Sequence, residues 1–146
     1  MHFAIHTPVE QSPEKVIKGF DDKLFIALKP PLLPMRLRRF DGCERGDEVH
    51  LEVGPNWMSQ RWEALIIDHD NTPDEIFFVD TGKILPKPLK KWMHRHRILR
   101  KINGSEIIDD ITFSTGWILL DWLIFPLLYL QFWIRKPVYQ RHFKSE

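Results

Sequence analysis

From Trp117 to Ile134 the chain runs through 18 residues of which 15 are apolar; only Asp121, Pro126 and Gln131 interrupt the run. Such a stretch must be covered by the rest of the chain or left to a membrane. A membrane span takes about 20 mostly apolar residues, and Arg135 and Lys136 follow like a flank. Asp121, however, lies in the first third, where a charge is costly in lipid. The chain also continues amphipathically through Pro137, Val138, Tyr139 and Phe143. A helix held on most sides by a curved sheet would be equally apolar all round. The expectation is therefore a buried helix, with Leu123 and Leu127 packed against a sheet, and no stable membrane insertion.

The remaining sequence supplies that sheet. His2 to Val9 begins with alternation, as a first strand does. Ser12-Pro13-Glu14 is a helix start: the serine caps, proline suits the first turn, and the acid favours the positive end of the helix dipole. A second short helix is expected over Asp21 to Leu28, ending before Pro30-Pro31 because Lys29 precedes a proline. Strands follow over Met35–Phe40, Val49–Val53, Trp57–Asp68, Glu75–Asp80, Trp92–Ile102 and Glu106–Phe113. The turns between them lie at Gly42 to Asp47, Gly54-Pro55-Asn56, Asp70 to Pro73, the proline-rich Lys83–Leu89, and Asn103-Gly104. Consecutive hairpins give an antiparallel sheet that needs one face covered. The class is α+β: a curved antiparallel sheet of about seven strands wrapped around a long C-terminal helix, with two short helices after the first strand. Residues 1–146 form a single domain.

Composition excludes little but bounds much. The net charge of +1 gives no global attraction to nucleic acid. Lys83 to Lys101 holds 8 Lys or Arg and no acid, which could attract phosphates, but Trp92 is its only aromatic residue. No nucleic-acid partner is expected, and the stretch reads best as a solvated outer face. Cys43 is the only cysteine, so there is no internal disulfide and a reducing, cytoplasmic setting fits. The N-terminal MHFAIHTPVE has neither a basic region nor a long apolar run, so no secretory leader is expected.

His94 and His96 are the sharpest chemical feature. Two apart on a strand, they share a face with Trp92 and Ile98. Asp109 shares the inward face of the next strand with Ile111 and Phe113. A carboxylate there is desolvated unless paired, so a histidine partner is expected. Three roles stay open for the histidines: static hydrogen bonding, polar contact to a cavity ligand, or metal binding with Asp109 as third ligand. No metal and no cofactor is the expectation carried forward. Glu44 and Asp47 beside Cys43 would raise its thiol pKa rather than activate it.

The motif order resembles the START-like (SRPBCC) superfamily and its helix-grip fold, in particular a bacterial ligand-binding subgroup. Phe20-Asp21-Asp22-Lys23-Leu24 with Leu28-Lys29-Pro30-Pro31 is similar to the passage through the two small helices. Phe78-Val79-Asp80, Trp92-Met93-His94-Arg95-His96, Asp109-Asp110-Ile111-Thr112-Phe113 and Phe132-Trp133-Ile134-Arg135 resemble successive strand and helix signatures. Phe113 and Ile134 each stand where the pattern has Tyr, and Pro126 inside the last helix is a further departure that should start or kink a segment. The resemblance implies a cavity between sheet and long helix for a hydrophobic or amphipathic small molecule, lipid-like or aromatic. The expected lining is Trp62, Phe78, Trp92, His94, His96, Asp109, Ile111, Phe113, Phe125, Tyr129 and Trp133. A non-catalytic binding protein is the primary reading. A cyclase or dehydratase using His94, His96 and Asp109 as acid and base is the alternative, and membrane association through residues 117–134 a third.

Overall fold

A computed structural model describes residues 1–31 and 33–145. Strand β1 (His2–Val9) leads into helices α1 (Pro13–Lys18) and α2 (Asp22–Ala27), then β2 (Met35–Phe40), β3 (Glu48–Val53), β4 (Gln60–Asn71), β5 (Glu75–Ile84), β6 (Lys91–Arg100) and β7 (Ser105–Ser114). Helices α3 (Ile118–Trp133) and α4 (Lys136–His142) close the chain. All seven strands form one antiparallel sheet in the order β1-β7-β6-β5-β4-β3-β2. This is the helix-grip fold.

Local chemistry sets the element ends. Ser12 Oγ accepts from Lys15 N and Asp21 Oδ1 from Leu24 N, capping α1 and α2. The β6–β7 connection spans Lys101 to Gly104, because Arg100 pairs with Ser105. It is longer than a two-residue hairpin, and Gly104 supplies the left-handed conformation at φ 92°. Strand β5 runs on to Ile84, into the segment expected to be irregular. Trp57 and Met58 belong to a short 3₁₀ turn rather than to a strand. Helix α3 continues through Pro126, which lies on its exposed side and neither starts nor ends a segment.

Three apolar clusters make up the interior among the described residues, one of them Met35, Val49, Leu51 and Val53 on β2 and β3. Under α3, Phe3, Ile5, Trp92, Ile111, Phe113, Leu128 and Phe132 pack together. Beside them, Val16, Leu24, Leu28, Ile76, Ile98 and Ile107 pack on Tyr139 and Phe143 of the C-terminal segment. Asp121 closes the β7–α3 corner: its Oδ1 accepts from Thr115 N at 2.6 Å and Thr115 Oγ1 at 2.7 Å. These bonds, the backbone N–H first, hold the Asp121 carboxyl below its usual range.

The expectation of a helix buried on most sides is overturned. Within α3 only Asp121, Leu128 and Phe132 are buried. Leu123 is 69% and Leu127 68% exposed, and Trp122, Leu119, Leu130 and Trp133 share their outward face. The sheet meets α3 chiefly along β1 and β7, with Phe132 reaching Trp92 and His94 of β6. One side of the helix is therefore gripped and the other is an apolar stripe at the surface.

Candidate functional site

Between α3, α2 and the inner faces of β2 to β6 lies a cavity of about 370 Å³, within the usual range for small-molecule sites. Period-2 alternation aims Leu51, Trp62, Ala64, Ile66 and Phe78 into it. Phe25 and Leu28 cover it from α2, and Leu128, Gln131, Phe132 and Arg135 close it from the C-terminal helices. Its polar lining includes Asp80, His94 and His96 on β5 and β6 and Gln131 and Arg135 from the C-terminal segment, with Asp21, Gln60 and Lys87 from other elements.

Of the expected lining, Trp62, Phe78, Trp92, His94 and His96 face the cavity. The other six do not line it. Asp109, Ile111 and Phe113 are on the inward face but lie beneath the helices, at 1%, 0% and 1% exposure. Phe125 and Tyr129 turn toward Phe3, with centroids at 5.5 and 5.6 Å. Trp133 is half exposed. The cause is lateral: the helix covers β1 and β7 directly, so the open space lies over the other half of the sheet.

Asp80, His94 and His96 form one hydrogen-bonded cluster with Asp109, which is covered by the helices. Across strands, Asp80 sits opposite His94 and His96 opposite Asp109. The hydrogen bonds run diagonally instead: His94 Nε2 to Asp109 Oδ1 at 2.9 Å and His96 Nε2 to Asp80 Oδ2 at 3.0 Å. The two imidazoles lie between the carboxylates with centroids 3.5 Å apart and planes tilted by 33°. Trp92 Nε1–H donates to Asp80 Oδ1 at 3.2 Å and Tyr139 O–H to Asp109 Oδ1 at 3.3 Å. Burial, joined by the neighbouring His94, pushes His96 down to about 4 against the opposing pull of Asp80. His96 is therefore a neutral ring at pH 7. Burial alone would raise the Asp109 carboxyl, but the His94 hydrogen bond and the His94 and Arg135 charges together hold it below its usual range. Arg135 stacks on Phe132 at 4.0 Å, and its Nε is buried without a partner among the described residues.

Cys43 also borders the cavity, and burial first, then Asp47 and Glu44, pushes its thiol up to about 12. In the basic stretch, Lys83, Arg95, Arg97, Arg100 and Lys101 pair with Glu48, Glu75, Glu14 and Glu106. Those pairs account for most of its charge.

Asp80, Leu128, Gln131, Phe132 and Arg135 are among the lining residues that sequence reasoning missed. Asp80 follows from alternation with Phe78 along β5. The others follow from the phase of the helix, which the buried Asp121 marks at positions 121, 128, 132 and 135.

No family model and no curated protein matches the chain. Solved structures do. A protein from Arthrobacter aurescens, solved in solution by NMR, is similar at a TM-score of 0.65 with 14% identity, over 94% of this chain and 81% of that one. A protein from Nitrosospira multiformis is similar at 0.64 with 11% identity, over 99% and 97%. Ara h 8.0201 is similar at 0.53 with 15% identity, over 80% and 79%. At these identities the likeness establishes the helix-grip fold and nothing about activity.

Proposed function

We propose that the protein binds a hydrophobic or amphipathic small molecule in this cavity. The observation that carries the proposal is a mostly apolar chamber of about 370 Å³ with Asp80, His94, His96, Gln131 and Arg135 among its few polar lining groups. The apolar body of the ligand lies along Leu51, Trp62, Phe78 and Leu128, and its polar end meets Gln131, Arg135 and His96. The acid–base alternative is less favoured, because Asp109 does not line the cavity and already bonds His94 and Tyr139. Titration with a naphthalene sulfonate dye is expected to give saturable fluorescence on the folded protein. Leu51→Trp, which fills the chamber, should weaken the dye at least tenfold (about 1.4 kcal/mol) while keeping a cooperative melt. His96→Phe should weaken a polar-ended ligand more than a purely apolar one. Dye binding unchanged in Leu51→Trp would overturn the proposal.

A second reading, association with an anionic lipid surface, is favoured by the outward face of α3. Trp122, Leu119, Leu123, Leu127, Leu130 and Trp133 recur at helical spacing and are exposed. The segment Ile118–His142 is long and apolar enough to cross a membrane. Its inner side, through Asp121, Leu128, Phe132 and Tyr139, is committed to the fold, which favours lying on a surface over spanning it. Cations flank both ends: an added Cβ at Gly116 would come within 3.2 Å of Lys90 Nζ, and Lys136 follows α3. Co-sedimentation with phosphatidylglycerol vesicles is expected, with less on phosphatidylcholine. The double variant Leu123→Asp/Leu127→Asp should stay in the supernatant. Wild-type protein left in the supernatant with both lipids contradicts this reading.

A further inference from the structure

The strands β5 and β6 bring ligand atoms of two imidazoles and one carboxylate close together. His94 gives its Nε2–H to the Asp109 carboxylate at 2.9 Å. Its other ring nitrogen, Nδ1, stands 3.7 Å from Asp80 Oδ2, beyond hydrogen-bond reach. Asp80 Oδ2 is also 3.0 Å from His96 Nε2. One ligand atom from each of Asp80, His94 and His96 falls within 4.8 Å of the other two. Around an ion with bonds of about 2.0–2.1 Å, tetrahedral ligand atoms stand about 3.3 Å apart, and the two measured edges bracket that value.

We propose that Asp80 Oδ2, His94 Nδ1 and His96 Nε2 bind a divalent first-row transition-metal ion, of the zinc or ferrous class, with its remaining coordination open to the cavity. Two imidazoles and one carboxylate suit that class of ion. The groups behind the ligands are those such a site needs. Asp109 accepts from the far nitrogen of His94 and fixes its tautomer; Trp92 Nε1–H holds the other oxygen of Asp80. His96 completes the set by a tautomer change. When Nε2 gives up its proton to coordinate, Nδ1 takes one, and that now partnerless buried atom lies 3.9 Å from Asp109 Oδ1. The ligand set differs from the sequence expectation: Asp109, which does not line the cavity, orients, and Asp80, which does, coordinates. An ion there would meet an oxygen of whatever the cavity holds. The site does not depend on the ligand-binding reading, and its test reads the metal alone.

Cobalt(II) is the probe. Wild-type protein stripped with EDTA and titrated with Co²⁺ is expected to develop a visible ligand-field absorption that saturates at one equivalent per chain and is displaced by Zn²⁺. His96→Gln should abolish it, and Asp109→Asn should weaken binding about 10–100-fold. The double variant His2→Gln/His6→Gln, which removes two exposed histidines, should leave it unchanged. Absence of saturable absorption from folded wild-type protein would overturn the proposal. So would absorption that survives His96→Gln or disappears with His2 and His6.

Discussion

Phe132→Asp is expected to unfold the domain, whereas Leu123→Asp is expected to leave its stability within about 0.5 kcal/mol of the parent. Phe132 is 2% exposed and touches Phe3, Trp92 and His94 with ring centroids at 6.0, 6.0 and 5.2 Å. An aspartate there removes a ring from the centre of the cluster and buries a charge among apolar side chains. Cavity and desolvation costs together come to about 4–5 kcal/mol or more, a fall of roughly 10–20 °C in Tm for a domain of this size. Leu123 is on the opposite side of the same helix and 69% exposed. Thermal melts followed by circular dichroism check both variants. Equal losses would mean that α3 is gripped on both sides.

His94→Leu is expected to cost about 3–5 kcal/mol, the range for breaking one side of a buried ion pair. It leaves the Asp109 carboxylate, 1% exposed, with Tyr139 O–H as its remaining donor. The carboxyl should then take up a proton and lose its low pKa. Removing both partners in His94→Leu/Asp109→Leu should recover most of the loss, because no unpaired polar group is then left buried. Urea unfolding of the two variants gives the comparison. A single variant that costs under about 1 kcal/mol would show that the pair is not desolvated as described.

Why one half of the site was legible and the other was not comes down to period. Along β6, apolar Trp92 and Ile98 alternate with Met93, Arg95 and Arg97, so the inward aim of His94 and His96 can be read from spacing. The same alternation carries Trp62 on β4 and Phe78 on β5. The C-terminal helix offers no such contrast. With 15 apolar residues in 18, every phase looks alike, and the expected ligand contacts at Phe125, Tyr129 and Trp133 fall on the wrong sides. The cue was polar: Asp121 is buried by its bonds to Thr115, and positions in step with it, Leu128, Phe132 and Arg135, face inward. Asp80 went unassigned for a different reason. Its pairing with His96 depends on the β5–β6 register, which follows from the Lys83–Leu89 connection and cannot be counted across those prolines.

Native mass spectrometry of the purified protein tests the ligand-binding account most directly. The expected spectrum shows a single small-molecule adduct on the folded chain, released by organic solvent as an apolar or amphipathic compound and absent from Leu51→Trp prepared in the same way. A bare chain mass for both proteins, together with no saturable dye binding by the wild type, would contradict it.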